Sequence, residues 1–225
     1  MKGMTERTSI LIGPEGIEKL RNASVVLAGC GAVGGYALEG LVRAGVGRIR
    51  VVDHDVFSES NLNRQILSTT ATVGRPKVEV ACERARSINP DIKIEGIDTL
   101  VNEDTVPKIL DGDFDLLVDA IDTLRCKTAL LRYASEKGIP TFSSMGAALH
   151  MDTQAVRVAP LMKTSVCPLA ASLRKSLRDC DTSKITAVYS VEPPIVTPTD
   201  RDEHGKSVLG SLPTVPAVFG MTLAN

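Results

Sequence analysis

The sequence predicts an α/β fold: a Rossmann-like, doubly wound and mostly parallel sheet with a less regular C-terminal extension. Three observations predict it. Short aliphatic runs alternate with segments of helical periodicity up to about residue 145, a pattern that requires parallel βαβ units. The first strand runs into Gly29-x-Gly31-x-x-Gly34, and an acid, Asp53, closes the second strand. Aliphatic residues abound while aromatics are scarce, with four Phe, three Tyr and no Trp, which suits strands buried on both faces.

The elements follow in order. Ser24–Ala28 (SVVLA) is a short apolar strand, and helical spacing runs from about Val33 to Ala44. Arg48–Val52 forms the next strand and closes on Asp53. A helix from Lys77 to Ile88 stops at Asn89-Pro90. Lys93–Ile97 is a strand, and Asp104–Leu110 starts a helix with acidic residues in its first turn. Leu116–Val118 is a buried strand ending in Asp119, Thr123–Lys137 a helix halted by Gly138, and Pro140–Ser144 the strand after it. Beyond these, Ala155–Ala159 and Ala187–Ser190 are strand-like, Pro168–Leu177 is helical, and the polar, proline-dotted stretch Glu192–Gly210 reads as a mobile loop. Residues 1–12 have no evident place in the sheet, and the apolar, uncapped end Phe219–Asn225 reads as a chain ending inside a helix, with C-terminal sequence missing. Residues 1–225 are therefore expected to form a single domain, with the nucleotide-binding part at about 13–145 and a substrate and loop part at about 146–225.

Composition removes several classes of function. Against 26 Lys and Arg stand 27 Asp and Glu, so an RNA partner would need a local basic patch. The cysteines Cys30, Cys82, Cys126, Cys167 and Cys180 form no Cys-x-x-Cys pair, which excludes a zinc-ribbon pattern and suggests reduced thiols. His54, His150 and His204 share no metal-ligand spacing. No signal peptide and no run of apolar residues long enough to span a membrane is present, and a cytoplasmic location with no membrane partner is expected.

The chemistry concentrates around the glycine loop. Gly29, Gly31 and Gly34 let the backbone turn tightly and present N–H groups and a helix N-terminus to phosphate oxygens. Asp53 is placed to accept ribose hydroxyls, as it would in an NAD-dependent oxidoreductase. Past it come Asp55, Asn61, Asn63, Arg64 and Gln65, then Gly74-Arg75-Pro76-Lys77. The added guanidinium and ammonium suit a triphosphate. Asp119-Ala-Ile-Asp122 ends the fourth strand at the same edge, and one of its carboxylates can hold Mg²⁺ against those phosphates. The plainer alternative makes Arg64 and Lys77 solvated charges and Asp122 a helix N-cap.

In order and spacing, Gly29-x-Gly31-x-x-Gly34, Asp53-x-Asp55, Asn61-Leu62-Asn63-Arg64-Gln65, Val73-Gly74-Arg75-Pro76-Lys77-Val78-Glu79, Ile88-Asn89-Pro90 and Asp119-Ala120-Ile121-Asp122 resemble the ThiF/MoeB/HesA-type, ubiquitin-activating-enzyme-like adenylating superfamily. The resemblance implies MgATP and adenylation of a carboxylate. It implies Asp53 at the ribose, with Asp55 and Gln65 among the nucleotide-binding residues, and Asn61, Arg64 and Lys77 at the phosphates. Asp122 would hold magnesium near the attacked α-phosphate. Arg7-Thr8-Ser9-Ile10-Leu11-Ile12-Gly13 resembles the N-terminal segment whose arginine reaches the neighbouring subunit's phosphates in a homodimer; a frayed terminal arginine is the alternative.

Members that activate ubiquitin-like sulfur carriers usually bear Cys-x-x-Cys zinc pairs, absent here. Lys163-Thr164 … Cys167-Pro168-Leu169-Ala170 … Arg174 … Leu177-Arg178, followed by Val188-Tyr189-Ser190-x-Glu192, resembles instead the branch of bacterial tRNA threonylcarbamoyladenosine dehydratases, with Cys167 where that branch usually has Asp. This implies a tRNA substrate whose threonyl carboxylate is adenylated and cyclised, with AMP and pyrophosphate released. Arg174, Lys175 and Arg178 lie at helical spacing and either touch RNA phosphates or form a solvated face with Asp179 and Asp181. Cys167 has no visible His partner and reads as a packed thiol. Two alternatives stand: adenylation of a sulfur-carrier C-terminus, with a sulfur-transfer protein as partner, and an NAD-dependent oxidoreductase or non-catalytic nucleotide-binding module.

Overall fold

A computed structural model describes residues 2–193, 201 and 209–225. After the N-terminal helix α1 (Glu6–Asn22) the elements run β1 (Ser24–Ala28), α2 (Gly34–Ala44), β2 (Arg48–Asp53), α3 (Lys77–Ile88), β3 (Lys93–Asp98), α4 (Val106–Ile109), β4 (Leu116–Asp119), α5 (Leu124–Glu136), β5 (Thr141–Ser144), β6 (Val156–Pro160), α6 (Pro168–Ser176), β7 (Ile185–Ser190) and α7 (Thr214–Ala224). The strands form one seven-stranded sheet in the order β3-β2-β1-β4-β5-β7-β6. All neighbours pair in parallel except β6, which runs antiparallel to β7 at the edge. β6 and β7 thus extend the same sheet.

β1 is buried along its whole length because both faces of the sheet are covered. Val25 and Leu27 join one apolar cluster with Leu38 and Phe219, whereas Val26 and Ala28 join another with Ile109 and Leu130. That alternation is the period of two of a strand set against two helical layers. α7 packs tightly on α2: a Cβ at Gly220 would lie 2.4 Å from the Val33 carbonyl oxygen. The last described helix therefore braces the helix that starts at the glycine loop.

Residues 6–12 lie outside the sheet, as expected, and begin α1, which bends at Gly13 (φ 74°) just before Pro14. Two sequence expectations are corrected. The helix expected from Asp104 shrinks to Val106–Ile109 and carries no acid in its first turn; the Asn102 side chain takes the Asp104 and Thr105 N–H groups instead. β7 begins at Ile185, before the expected Ala187. The loop expected over Glu192–Gly210 falls mainly on 194–200 and 202–208, outside the described residues. Among the described residues no helix is long and apolar enough to cross a membrane.

Candidate active site

In the sheet order β1 lies between β2 and β4, so the chain leaves in opposite directions on either side and the carboxyl ends of β1 and β4 open a crevice. The glycine loop follows β1. Gly29 adopts φ 95° and donates its N–H to the Val52 carbonyl at 2.8 Å, and a Cβ there would lie 2.8 Å from the Ala120 carbonyl oxygen. A Cβ at Gly34 would lie 1.8 Å from the Gly29 carbonyl oxygen. Gly31 differs: the nearest atoms to its Cβ position belong to the Gln65 carboxamide, 3.9 Å away. Two glycines are thus forced by packing, and the middle one leaves room for a ligand to approach the backbone.

Asp53 ends β2 and ties the surrounding turns together. Its Oδ2 accepts the Cys30 N–H at 2.7 Å, and its Oδ1 accepts the His54 and Asp55 N–H groups at 2.8 and 2.9 Å. Burial, with Asp53 beside it, pushes the Cys30 thiol up, away from thiolate chemistry. Asp53, His54 and Asp55 bring one potential ligand atom each within 4.8 Å of one another. Asp55 also holds Lys77, whose buried Nζ lies 2.9 Å from Asp55 Oδ2.

The stretch between β2 and α3 presents the remaining polar groups. Asn61 is buried and accepts the Ser58 N–H at 3.1 Å, closing a short helical turn. The Arg64 guanidinium donates to the Ser60 carbonyl and to Asn63 Oδ1 at 2.8 and 2.9 Å. Gln65 is buried beneath Gly31, and its Oε1 has no hydrogen-bond partner among the described residues. A buried acceptor without a donor costs about 1–3 kcal/mol, so this carboxamide fits a site that a polar ligand completes.

The structure separates Asp119 from Asp122, the one that the family resemblance singles out for the metal. Asp119 is fully buried and saturated by Lys127, by Ser143 Oγ at 2.7 Å and by the Ile121 N–H at 3.1 Å. It is not available to a metal ion. Asp122 is exposed at the crevice, where its Oδ1 accepts the Thr123 hydroxyl at 3.1 Å. It is not the N-cap of α5; Thr123 holds that position. The chemistry of this donor, an exposed carboxylate just past the carboxyl end of β4, fits Mg²⁺.

Arg7 lies elsewhere. Thr5, two residues earlier, packs against Gly45, and with Ser24, Arg48 and Lys93 it lines a cleft of about 710 Å³ at the amino ends of β1, β2 and β3. That is the opposite edge from Gly29 and Asp53.

The C-terminal part adds groups that sequence reasoning missed or placed differently. Arg174, a candidate for RNA contact, donates to the Thr164 carbonyl and hydroxyl at 2.9 and 2.6 Å and is committed to holding α6. Asp179 pairs with Arg132 rather than with the basic face of α6, leaving Lys175 and Arg178 exposed. His150 is buried in the loop after β5, 3.7 Å from Glu192, whose Oε2 also accepts the Met151 and Asp152 N–H groups at 2.9 and 3.0 Å. Cys167 is buried at the start of α6. No local pattern announces Lys127 or Ser143, because their partner is reached only when β4, α5 and β5 assemble.

The profile of the ThiF family matches residues 5–225. The tRNA threonylcarbamoyladenosine dehydratase of Bacillus subtilis (strain 168) is 37% identical over 97% of this chain and 91% of its own length. The crystal structure of the E. coli tRNA N6-threonylcarbamoyladenosine dehydratase in complex with ATP superposes with a TM-score of 0.90 at 31% identity, covering 99% of this chain and 91% of that one. The sulfur carrier protein adenylyltransferase of Thermus thermophilus is 45% identical, but over 49% of this chain and 41% of its own.

Proposed function

The chain belongs to the ThiF family, and from that premise we propose that it is an ATP-dependent dehydratase acting on threonylcarbamoyladenosine in tRNA. One observation carries the choice within the family. The likeness to the dehydratase runs through 97% of the chain, whereas the likeness to the sulfur-carrier enzyme covers 49%. What the two kinds of enzyme share is nucleotide activation; what distinguishes them is the acceptor.

In this reading residues of about 13–145 bind the nucleotide and residues of about 146–225 present the substrate. Asp53 takes the ribose, the loop N–H groups of Gly29–Gly34 and the start of α2 take phosphate oxygens, and Gln65 supplies its orphaned acceptor. Arg64 offers a planar fork and Lys77 a point charge to the phosphates, beside Asn61 and Asp55. Asp122 would hold Mg²⁺, which supplies neutralisation of phosphate charge. The threonyl carboxylate attacks the α-phosphorus and pyrophosphate leaves. The carbamoyl oxygen then attacks the acyl carbon, AMP leaves, and a carbamoyl N–H proton is lost, so the net change is removal of one water. Ring closure is intramolecular and asks the enzyme for position rather than a thiol. The proposal includes a homodimer in which each Arg7 serves the other subunit's phosphates, and a cytoplasmic location, where tRNA is modified.

The test is pyrophosphate release from ATP with two substrates in parallel: tRNA carrying threonylcarbamoyladenosine, and a small ubiquitin-like protein ending in Gly-Gly. Release with the tRNA alone supports the reading. Release with the protein alone would move the enzyme to the sulfur-transfer branch.

A further inference from the structure

Lys127 and Asp119 form an ion pair with both side chains fully buried, and the chemistry above uses neither. Lys127 Nζ also donates to Ser143 Oγ at 3.2 Å, and that hydroxyl donates to Asp119 Oδ2 at 2.7 Å. The other carboxylate oxygen, Oδ1, accepts the Ile121 N–H at 3.1 Å. On the far side, the Lys127 N–H donates to the Thr123 carbonyl at 2.9 Å. Residues 119–127 are therefore closed on themselves by their two buried ends, and the exposed stretch between them, Asp122 to Arg125, begins with Asp122.

The segment also has no slack sideways. The Ala120 N–H donates to the Ala28 carbonyl at 2.8 Å, and the Ala120 carbonyl oxygen sits 2.8 Å from the position a Gly29 Cβ would occupy. An apolar pair of similar volume would hold β4 against α5 without the cost of burying two charges. It could not accept the Ile121 N–H, which is the bond that orients the turn carrying Asp122.

We propose that Lys127, with Ser143, is a positioning residue: it fixes the rotamer of Asp119, whose Oδ1 holds the Ile121 N–H and so sets where the Asp122 carboxylate stands past the end of β4. The inference rests on the reading of Asp122 as the metal-binding carboxylate. It locates the control of metal affinity in a buried triad that touches neither metal nor nucleotide.

The experiment uses the full chain with Mn²⁺ as probe, read by electron paramagnetic resonance in the presence of ATP, beside calorimetric titration of ATP without metal. Lys127→Met and Ser143→Ala should each weaken Mn²⁺ binding to the ATP-loaded protein about tenfold or more, with metal-free ATP affinity changed less than threefold. Asp119→Asn combined with Lys127→Met should recover most of the loss, since the Asn carbonyl can again take the Ile121 N–H while no unpaired charge stays buried. If Lys127→Met fails to fold, Ser143→Ala, which removes only a hydroxyl, decides. Mn²⁺ affinity that equals wild type in the folded variants, or falls in step with metal-free ATP affinity, overturns the inference. A wild-type protein that binds ATP but gains no Mn²⁺ affinity with it would instead overturn the reading of Asp122, and the inference with it.

Discussion

The Asp53 carboxylate accepts the backbone N–H of Cys30 at 2.7 Å, so the end of β2 clasps the loop that follows β1. In the proposed function one residue thereby has two tasks on the same edge of the sheet. It shapes the glycine loop from the side and stands where a ribose would be recognised.

Asp53→Asn tests that coupling. An Asn offers one carbonyl where Asp53 now accepts N–H groups on both oxygens, so an amide NH₂ must face a backbone donor. Such a mismatch costs about 1–3 kcal/mol, and in a chain of this size each kcal/mol lowers Tm by roughly 2–4 °C. ATP affinity should fall about tenfold or more as the loop loses its shape. Scanning calorimetry and ATP titration check both effects, and a variant with wild-type Tm and affinity would show that the clasp is idle.

A second expectation concerns pH. Burial pushes the His150 imidazole below the usual histidine range, and the Glu192 carboxylate pulls it partly back. Asp152 also lies beside this group, sharing Glu192 through its backbone N–H. The folded protein thus binds the His150 proton less readily than the unfolded chain does. The stability contributed by neutral His150 is complete above the unfolded pKa of about 6.5 and erodes as pH falls through it towards the lower folded value. His150→Gln should flatten the dependence of Tm on pH between about 5 and 7. Glu192→Gln should steepen it, because the opposing pull is gone. Parallel curves for wild type and His150→Gln would contradict the assignment.

Much of the nucleotide-binding edge is legible in the sequence because its signals are local: a strand, three glycines, a helix and an acid at the next strand end. α3 begins and ends where its spacing and the Asn89-Pro90 stop placed it. What stayed illegible depends on tertiary partners. The family resemblance already singles out Asp122 over Asp119, but the physical reason, Lys127 on α5 and Ser143 on β5 burying Asp119 as an anchor, appears only in the fold. Arg174 has the same charge and spacing as Lys175 and Arg178, yet the Thr164 carbonyl claims it. α1 bends at Gly13, just before Pro14, within one helical segment, and its existence is settled by packing against the strands' amino ends rather than by a local signal.

Arg7 gives a prediction about assembly. Its neighbour Thr5 sits at the amino ends of the strands, while the phosphates in the proposed site lie at the carboxyl ends, a strand length of about 17–20 Å away. An arginine there is poorly placed for its own crevice, which is why the proposed function assigns it to a partner's. Mixing Arg7→Ala chains with Lys77→Ala chains should restore part of the activity, because a mixed dimer holds one site with both Arg7 and Lys77 intact. If subunit exchange is demonstrated and neither pyrophosphate release nor cyclisation returns, the shared site is wrong and Arg7 acts in its own chain or not at all.

Cys167 offers the sharpest test of how the acyl-adenylate is consumed. It is buried at the first turn of α6, with Gly146 close to its sulfur, and it has the look of a nucleophile only until its surroundings are considered. The carbamoyl oxygen of the substrate is tethered to the very carboxylate that is activated, so ring closure gains the advantage of an intramolecular reaction without an enzyme thioester. A thioester route would instead need the sulfur exposed to the adenylate. Cys167→Ser should therefore keep at least about a third of the rate of water loss from the modified nucleoside, at a stability cost of about 1–3 kcal/mol for placing a hydroxyl among apolar side chains. Mass spectrometry of the tRNA nucleosides follows the reaction directly, and thermal melting follows the cost. A folded Cys167→Ser protein that still releases pyrophosphate but no longer closes the ring would show that the thiol carries the acyl group and that the tethered attack is not the route.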